Sequence, residues 1–149
     1  MKKWLKLVLA IVACELAGAV GSIFTTPAIS TWYASLVKPS FNPPNWIFFP
    51  VWTILFALMG IALYLAWPKG KLIFGAQLLL NILWSVLFFG LHSPLLAFIE
   101  IILLWIAILS TIIVFYRTSK QAAYLLVPYI LWVSFAGILN YYIWKLNRK

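Results

Sequence analysis

Runs of about 20 nearly unbroken apolar residues recur five times along this chain, each long enough to cross the hydrocarbon core of a bilayer as a helix. In lipid every backbone N–H and C=O must find its partner within the protein, which leaves helices and closed barrels. Barrel strands alternate in polarity residue by residue, and these runs do not. A soluble domain fails for lack of polar side chains: with 149 residues 66% hydrophobic and 9% charged, too little is polar to clothe a water-facing surface. The sequence predicts an all-α integral membrane protein, a single domain over residues 1–149, folded as a five-helix transmembrane bundle.

The spans read as 5–24, 46–67, 72–91, 95–116 and 122–144. Short connections separate the later ones: Pro68–Lys71, His92–Pro94 and Arg117–Gln121. Five crossings place the termini on opposite sides. Lys2, Lys3, Lys6, Lys69, Lys71, Arg117 and Lys120 share the N-terminal side, against Lys38, Lys145, Arg148 and Lys149 on the other. The excess predicts a cytoplasmic N-terminus in a multi-pass protein of the cell membrane. The net charge of +9 does not indicate nucleic acid, because the cations sit at helix ends rather than in a patch. Cys14 is the single cysteine, so no internal disulfide or cysteine metal cluster can form. The basic start and the IVAC sequence ending at Cys14 mimic a cleavable leader. Against cleavage, Ala13, Ala17 and Gly21 fall four apart, as do Cys14, Gly18 and Ser22. Small residues at that spacing let helices approach closely in lipid.

The long stretch between the first two spans, Trp32–Trp52, is the part that hydrocarbon does not explain. Pro39, Pro43 and Pro44 each fix φ and push the preceding residue toward extended backbone, so no regular helix runs through Lys38–Asn45. The stretch has no glycine, which makes it a stiff loop rather than a flexible tether. With Trp32, Tyr33, Phe41 and Trp46 at its ends, it is expected to pack as a lid over a pocket among the helices.

Polar groups within the spans point to where that pocket lies. Gln77, Asn81 and Ser85 are spaced by four and share a face; Trp132, Ala136 and Asn140 do the same in the fifth span. Such faces turn inward, toward partner helices or a cavity, and spacing alone does not choose between the two. Trp4, Trp32, Trp46, Trp67 and Trp144 fall near span ends and read as an interfacial belt, whereas Trp52, Trp84, Trp105 and Trp132 lie within spans. The only acids are Glu15 and Glu100, both intramembrane and both candidates for function; Glu100 is expected to reach the interface or His92. One histidine, one cysteine and no acidic cluster make no metal site. There is no nucleophilic triad, phosphate loop or carboxylate pair, so enzymatic activity stays open. The helix end Leu139–Lys145 fits the loose cholesterol-contact pattern, a weak one.

Three segments, WYASLVKPSFNPPNWIFFPVWT, QLLLNILWSVLFFG and VPYILWVSFAGILNYYIWKLN, together resemble the translocator protein family, whose bacterial members are called tryptophan-rich sensory proteins and whose animal members were once called peripheral benzodiazepine receptors. The likeness runs from the first span to the C-terminus. It implies a five-helix bundle, often a homodimer, that binds porphyrins (protoporphyrin IX or haem) as ligands without a required cofactor. For some members it also implies benzodiazepine-site drug-like ligands or cholesterol. Carried over by position, the ligand-binding residues would be Tyr33, Pro43, Trp52, Asn81, Trp84, Ser85, Trp132 and Ala136. A photochemical, catalytic role in porphyrin breakdown would fall to Trp52 and Trp132. Lys145 stands where the animal cholesterol motif ends in arginine, so sterol binding is not expected. Lys38 is the loop cation expected nearest the porphyrin carboxylates. The competing expectations are a small transporter or channel for porphyrin or other lipophilic solutes, and a regulatory partner of another membrane protein.

Overall fold

The computed structural model describes residues 1–148; Lys149, one of the cations counted on the far side, lies outside them. Helix α1 spans Lys3–Ile29, α2 Phe48–Ala66, α3 Lys71–Ser85, α4 Pro94–Thr118, α5 Lys120–Leu125 and α6 Val127–Asn147. Helices α5 and α6 together form one crossing, and five helical stretches are long and apolar enough to span a membrane. Large side chains such as Leu72, Leu79, Ile23 and Leu131 are 83%, 69%, 66% and 64% exposed. In water such a surface would aggregate; toward acyl chains it costs nothing.

Helix ends depart from the apolar runs where local chemistry extends or breaks them. Helix α1 passes the expected stop at Phe24 and carries Pro27 inside its last turns. Thr25 Oγ1 donates to Gly21 O at 3.2 Å and Thr31 Oγ1 to Pro27 O at 2.8 Å, so hydroxyls keep this polar end hydrogen-bonded. Gly70, at φ 72°, makes the left-handed turn into α3 that residues with a Cβ resist. Ser93 and Ser119 accept from Leu96 N and Ala122 N, capping α4 and α5. Ser119 is the whole connection there, shorter than Arg117–Gln121. Pro128 lacks an N–H and crowds the preceding turn, and the fifth crossing breaks at Leu126 between α5 and α6.

The third crossing ends in a wider π turn, Val86–Gly90. That turn buries two consecutive rings, Phe88 at 2% and Phe89 at 7% exposure. The N-terminal loop has two 3-10 turns, Tyr33–Ser35 and Asn45–Ile47, with no regular structure between Leu36 and Pro44, as its prolines require. Two apolar clusters hold the bundle. One lies away from the loop, around Met59, Ala62, Phe74, Ile108, Phe115 and Leu126. The other lies under the loop, around Ala28, Tyr33, Phe88, Phe89, Leu139 and Ile143.

Candidate ligand cavity

A cavity of about 400 Å³ occupies the loop-side half of the bundle, within the roughly 300–1,000 Å³ usual for small-molecule sites. Its wall runs from Glu15 to Ile29 on α1, Asn45 to Phe56 through α2, Asn81 to Phe89 on α3 and its π turn, and Trp132 to Ile143 on α6. Antiparallel crossings explain the pattern: the loop-side half is the C-terminal half of α1, α3 and α6 and the N-terminal half of α2. Among the described residues α4 supplies none of the wall; it packs behind.

The polar faces read from the sequence are both structural and exposed to the cavity. Asn81 Nδ2 donates to the Tyr129 hydroxyl at 2.7 Å, and that hydroxyl donates to Gln77 Oε1 at 2.7 Å. Gln77 Nε2 is 3.9 Å from Met59 Sδ. Gln77 is 1% exposed and off the cavity wall, so it ties α3 to α6 and α2. Asn81 lies on the wall, and its Oδ1 takes no bond among the described residues. On the other stripe, Trp84 Nε1 donates to Asn140 Oδ1 at 2.9 Å and Asn140 Nδ2 to Pro94 O at 2.8 Å. Asn140 thereby fixes the Trp84 ring and joins α6 to the start of α4.

Aromatic packing sets the remaining walls. Trp84 stacks on Phe88 with ring centres 5.0 Å apart and an 18° tilt. Trp52 packs against Phe56 at 5.7 Å and Tyr129 at 6.3 Å; Trp132 packs against Phe135 at 5.5 Å and Phe48 at 6.4 Å. Tyr33 closes the loop end. It is 2% exposed, and its hydroxyl donates to Asn42 Oδ1 at 2.9 Å. Burial pushes its phenol up to about 12.

Seven of the eight residues named from the resemblance line this one cavity: Tyr33, Trp52, Asn81, Trp84, Ser85, Trp132 and Ala136. Pro43 does not, because the loop reaches the wall only through Tyr33 and Asn45 while Phe41 packs outside, on Phe135 and Tyr142. Lys38 is also off the wall; its Nζ lies 4.6 Å from the Tyr33 ring centre and donates to Leu36 O. Glu100 reaches neither the interface nor His92. It is 5% exposed among α4's packing residues, and neither carboxylate oxygen has a hydrogen-bond partner among the described residues. Trp32 is half-buried and stacks on His92 at 4.6 Å and 7°, while Trp4, Trp46 and Trp67 are 61%, 72% and 56% exposed. Trp105 faces outward and donates to Ser134 Oγ at 2.8 Å. The wall residues not singled out from sequence include Phe48, Phe88 and Phe89; the FF pair one turn beyond Ser85 was the available signal.

Fold and site together define a multi-pass membrane protein with an internal, indole-walled cavity beneath a proline-stiffened loop. Residues 10–145 match the family model described as TspO/MBR family. A Tryptophan-rich protein TspO from Chlorobaculum tepidum is 50% identical over 98% of both chains. Another from Archaeoglobus fulgidus is 49% identical over 96% of this chain and 97% of its own. The Translocator protein of Homo sapiens is 37% identical over 87% of this chain and 82% of its own. The chain belongs to the TspO/MBR family.

Proposed function

We propose that this protein binds tetrapyrroles such as protoporphyrin IX in the cavity and senses, buffers or promotes the light-dependent breakdown of porphyrins. It does so in the cell membrane with its N-terminus in the cytoplasm. The observation that carries the reading is the wall itself: indole faces for a flat ring, with Asn81 Oδ1 and the Ser85 hydroxyl beside them to orient it. In this reading the indoles of Trp52 and Trp132 donate an electron to a light-excited ring. Flat benzodiazepine-site ligands fit the same wall, and a homodimer belongs to the same proposal. Transport of porphyrin or other lipophilic solutes has less behind it. The half of the bundle below the cavity is filled by Met59, Ala62, Phe74 and Phe115, each 3% exposed or less, and Glu100 is off the wall.

Titration of protoporphyrin IX into the purified protein, followed by tryptophan quenching, tests the binding. Saturable quenching is expected, weakened about tenfold or more when Trp52→Ala and Trp132→Ala remove two stacking faces. Unchanged affinity in that double variant counts against the reading. Under illumination, porphyrin absorbance is expected to fade faster when bound than when free in the same detergent.

A further inference from the structure

Trp132 begins a line of touching rings that leaves the cavity. Its ring centre lies 5.5 Å from that of Phe135, and both residues are on the wall. Phe135 lies 6.2 Å from Phe41, and Phe41 lies 5.6 Å from Tyr142. Phe41 and Tyr142 are off the wall and 44% and 39% exposed, so their open surface is on the outside of the bundle. The loop supplies the middle ring. Phe135 and Tyr142 are seven residues apart on α6, about 10 Å along the axis, too far for their rings to touch. Phe41 fills that interval and meets both.

The two ends of the line differ in what they can do with a proton. Tyr142 stands five residues before the end of α6, close to Trp144 and Lys145, residue types that settle where the membrane meets water. Water there can take a phenolic proton. Trp52 has no such exit among the described residues. It packs on Phe56 and Tyr129, and Tyr129 is 1% exposed with its hydroxyl donating to Gln77 Oε1. An amide oxygen accepts a hydrogen bond but is far too weak a base to keep the proton.

We propose that Tyr142 is the electron donor that refills Trp132 whenever that indole has lost an electron, and that Phe41 completes the path when the loop is seated on α6. The tetrapyrrole reading, on which this rests for its oxidant, supplies the first step. The light-excited ring takes one electron from the Trp132 indole and becomes a radical anion, leaving an indole radical cation. Tyr142 then gives one electron to that indole across Phe135 and Phe41. Its O–H bond breaks, the proton passes to interfacial water, and Trp132 is restored. The ring has gained one electron; Tyr142 has lost one electron and one proton. The direction is downhill, because a phenol that can release its proton to water is easier to oxidise at neutral pH than an indole. Tunnelling falls off steeply with distance, so short steps between touching rings outrun one long jump. A hole on Trp132 therefore drains to the surface, whereas one on Trp52 stays.

Flash photolysis of the unliganded protein tests the path without any porphyrin, since ultraviolet pulses at the red edge of indole absorption eject electrons from tryptophans. Indolyl absorbance is expected to decay into tyrosyl absorbance. Trp132→Phe, Tyr142→Phe and Phe41→Leu should each remove the same part of that rise, and Trp132→Phe with Tyr142→Phe no more than either alone. A rise untouched by Tyr142→Phe or by Phe41→Leu overturns the proposal: residues that only pack would change stability and leave the spectrum alone. A second arm illuminates the same proteins with protoporphyrin IX and a nitroso spin trap, and locates the adduct by mass spectrometry. The adduct is expected on Tyr142 in the wild type and absent in Trp132→Phe. Bound porphyrin that fades without marking Tyr142 also overturns the proposal. If porphyrin does not bind while the flash arm gives the expected losses, the relay stands and the tetrapyrrole reading falls.

Discussion

The side chain of Asn147 holds both backbone groups of Val37, 110 residues away in sequence. Val37 N–H donates to Asn147 Oδ1 at 2.9 Å, and Asn147 Nδ2 donates to Val37 O at 2.8 Å and to Ile143 O at 2.7 Å. The last turn of α6 thus fastens the middle of the N-terminal loop. Asn147→Ala is expected to cost only about 1 kcal/mol overall, because both partners can turn to water. Amide exchange at Val37 should nonetheless speed up markedly, and ligand should leave faster. Exchange at Val37 as slow as in the wild type would show that the clasp does not restrain the loop.

Tyr129 gives a second prediction. Its hydroxyl is the single link between Asn81 and Gln77, and it is 1% exposed. Tyr129→Phe removes the link and strands two buried amide groups. The expected loss is about 1–3 kcal/mol, read as a lower thermal midpoint in detergent. The Asn81 amide should also lose its fixed orientation, so affinity for a ring ligand should fall with stability. A variant as stable as the parent would mean that the amides find other partners.

Gly60 and Gly75 separate a contact glycine from a free one. A Cβ on Gly60 meets the Ile11 backbone, which no rotamer change relieves; one on Gly75 meets nothing within 4 Å. Gly60→Ala is expected to destabilise by about 1–3 kcal/mol, and Gly75→Ala to be neutral or stabilising by about 0.5–1 kcal/mol through helix propensity. Thermal unfolding of the pair measures the difference directly. Equal midpoints would contradict the close approach of α1 and α2.

The Tyr33 phenol supplies a pH dependence. Its value is raised from 10.0 to about 12, mainly by burial. The native state therefore holds the proton more tightly than the unfolded chain does. The stability this contributes is complete below pH 10 and is lost as the pH rises through about 12. Tyr33→Phe should flatten that decline, and the tyrosinate absorbance titrations of the two proteins should differ by one late phenol. A difference curve centred at the ordinary phenol value would place Tyr33 in contact with water.

Much of this architecture is legible in the order of residues, because lipid imposes strict rules. Span number follows from run length, and the unhelical loop from Pro39, Pro43 and Pro44. The inward direction of Asn81, Ser85 and Asn140 follows from their place within apolar runs. What spacing cannot show is how a polar group is used. Gln77 shares a stripe with Asn81 and Ser85, yet it is spent on Tyr129 and Met59 while the other two reach the cavity. Tyr129 gave no warning, since one more ring in an aromatic-rich span looks like packing. The apolar runs stop at Phe24 and start again at Ala122, whereas threonine hydroxyls carry α1 on to Ile29 and the Ser119 cap starts α5 at Lys120. Nearness to a helix start suggests that Glu100 reaches the interface or His92; the rotation of α4 buries it instead.

The π turn at Val86–Gly90 has a consequence for how the third crossing divides its labour. Neighbouring side chains on an ordinary helix diverge by about 100°; a wider turn brings two successive phenylalanines closer in direction. The looser winding resets the angular phase partway along one continuous rod. Upstream of it, the Asn81 and Ser85 stripe keeps the orientation that Tyr129 demands; downstream, Phe88 and Phe89 both swing inward. One helix can thereby present an amide-and-hydroxyl strip and a two-ring panel to the same hollow, each aligned without twisting the other.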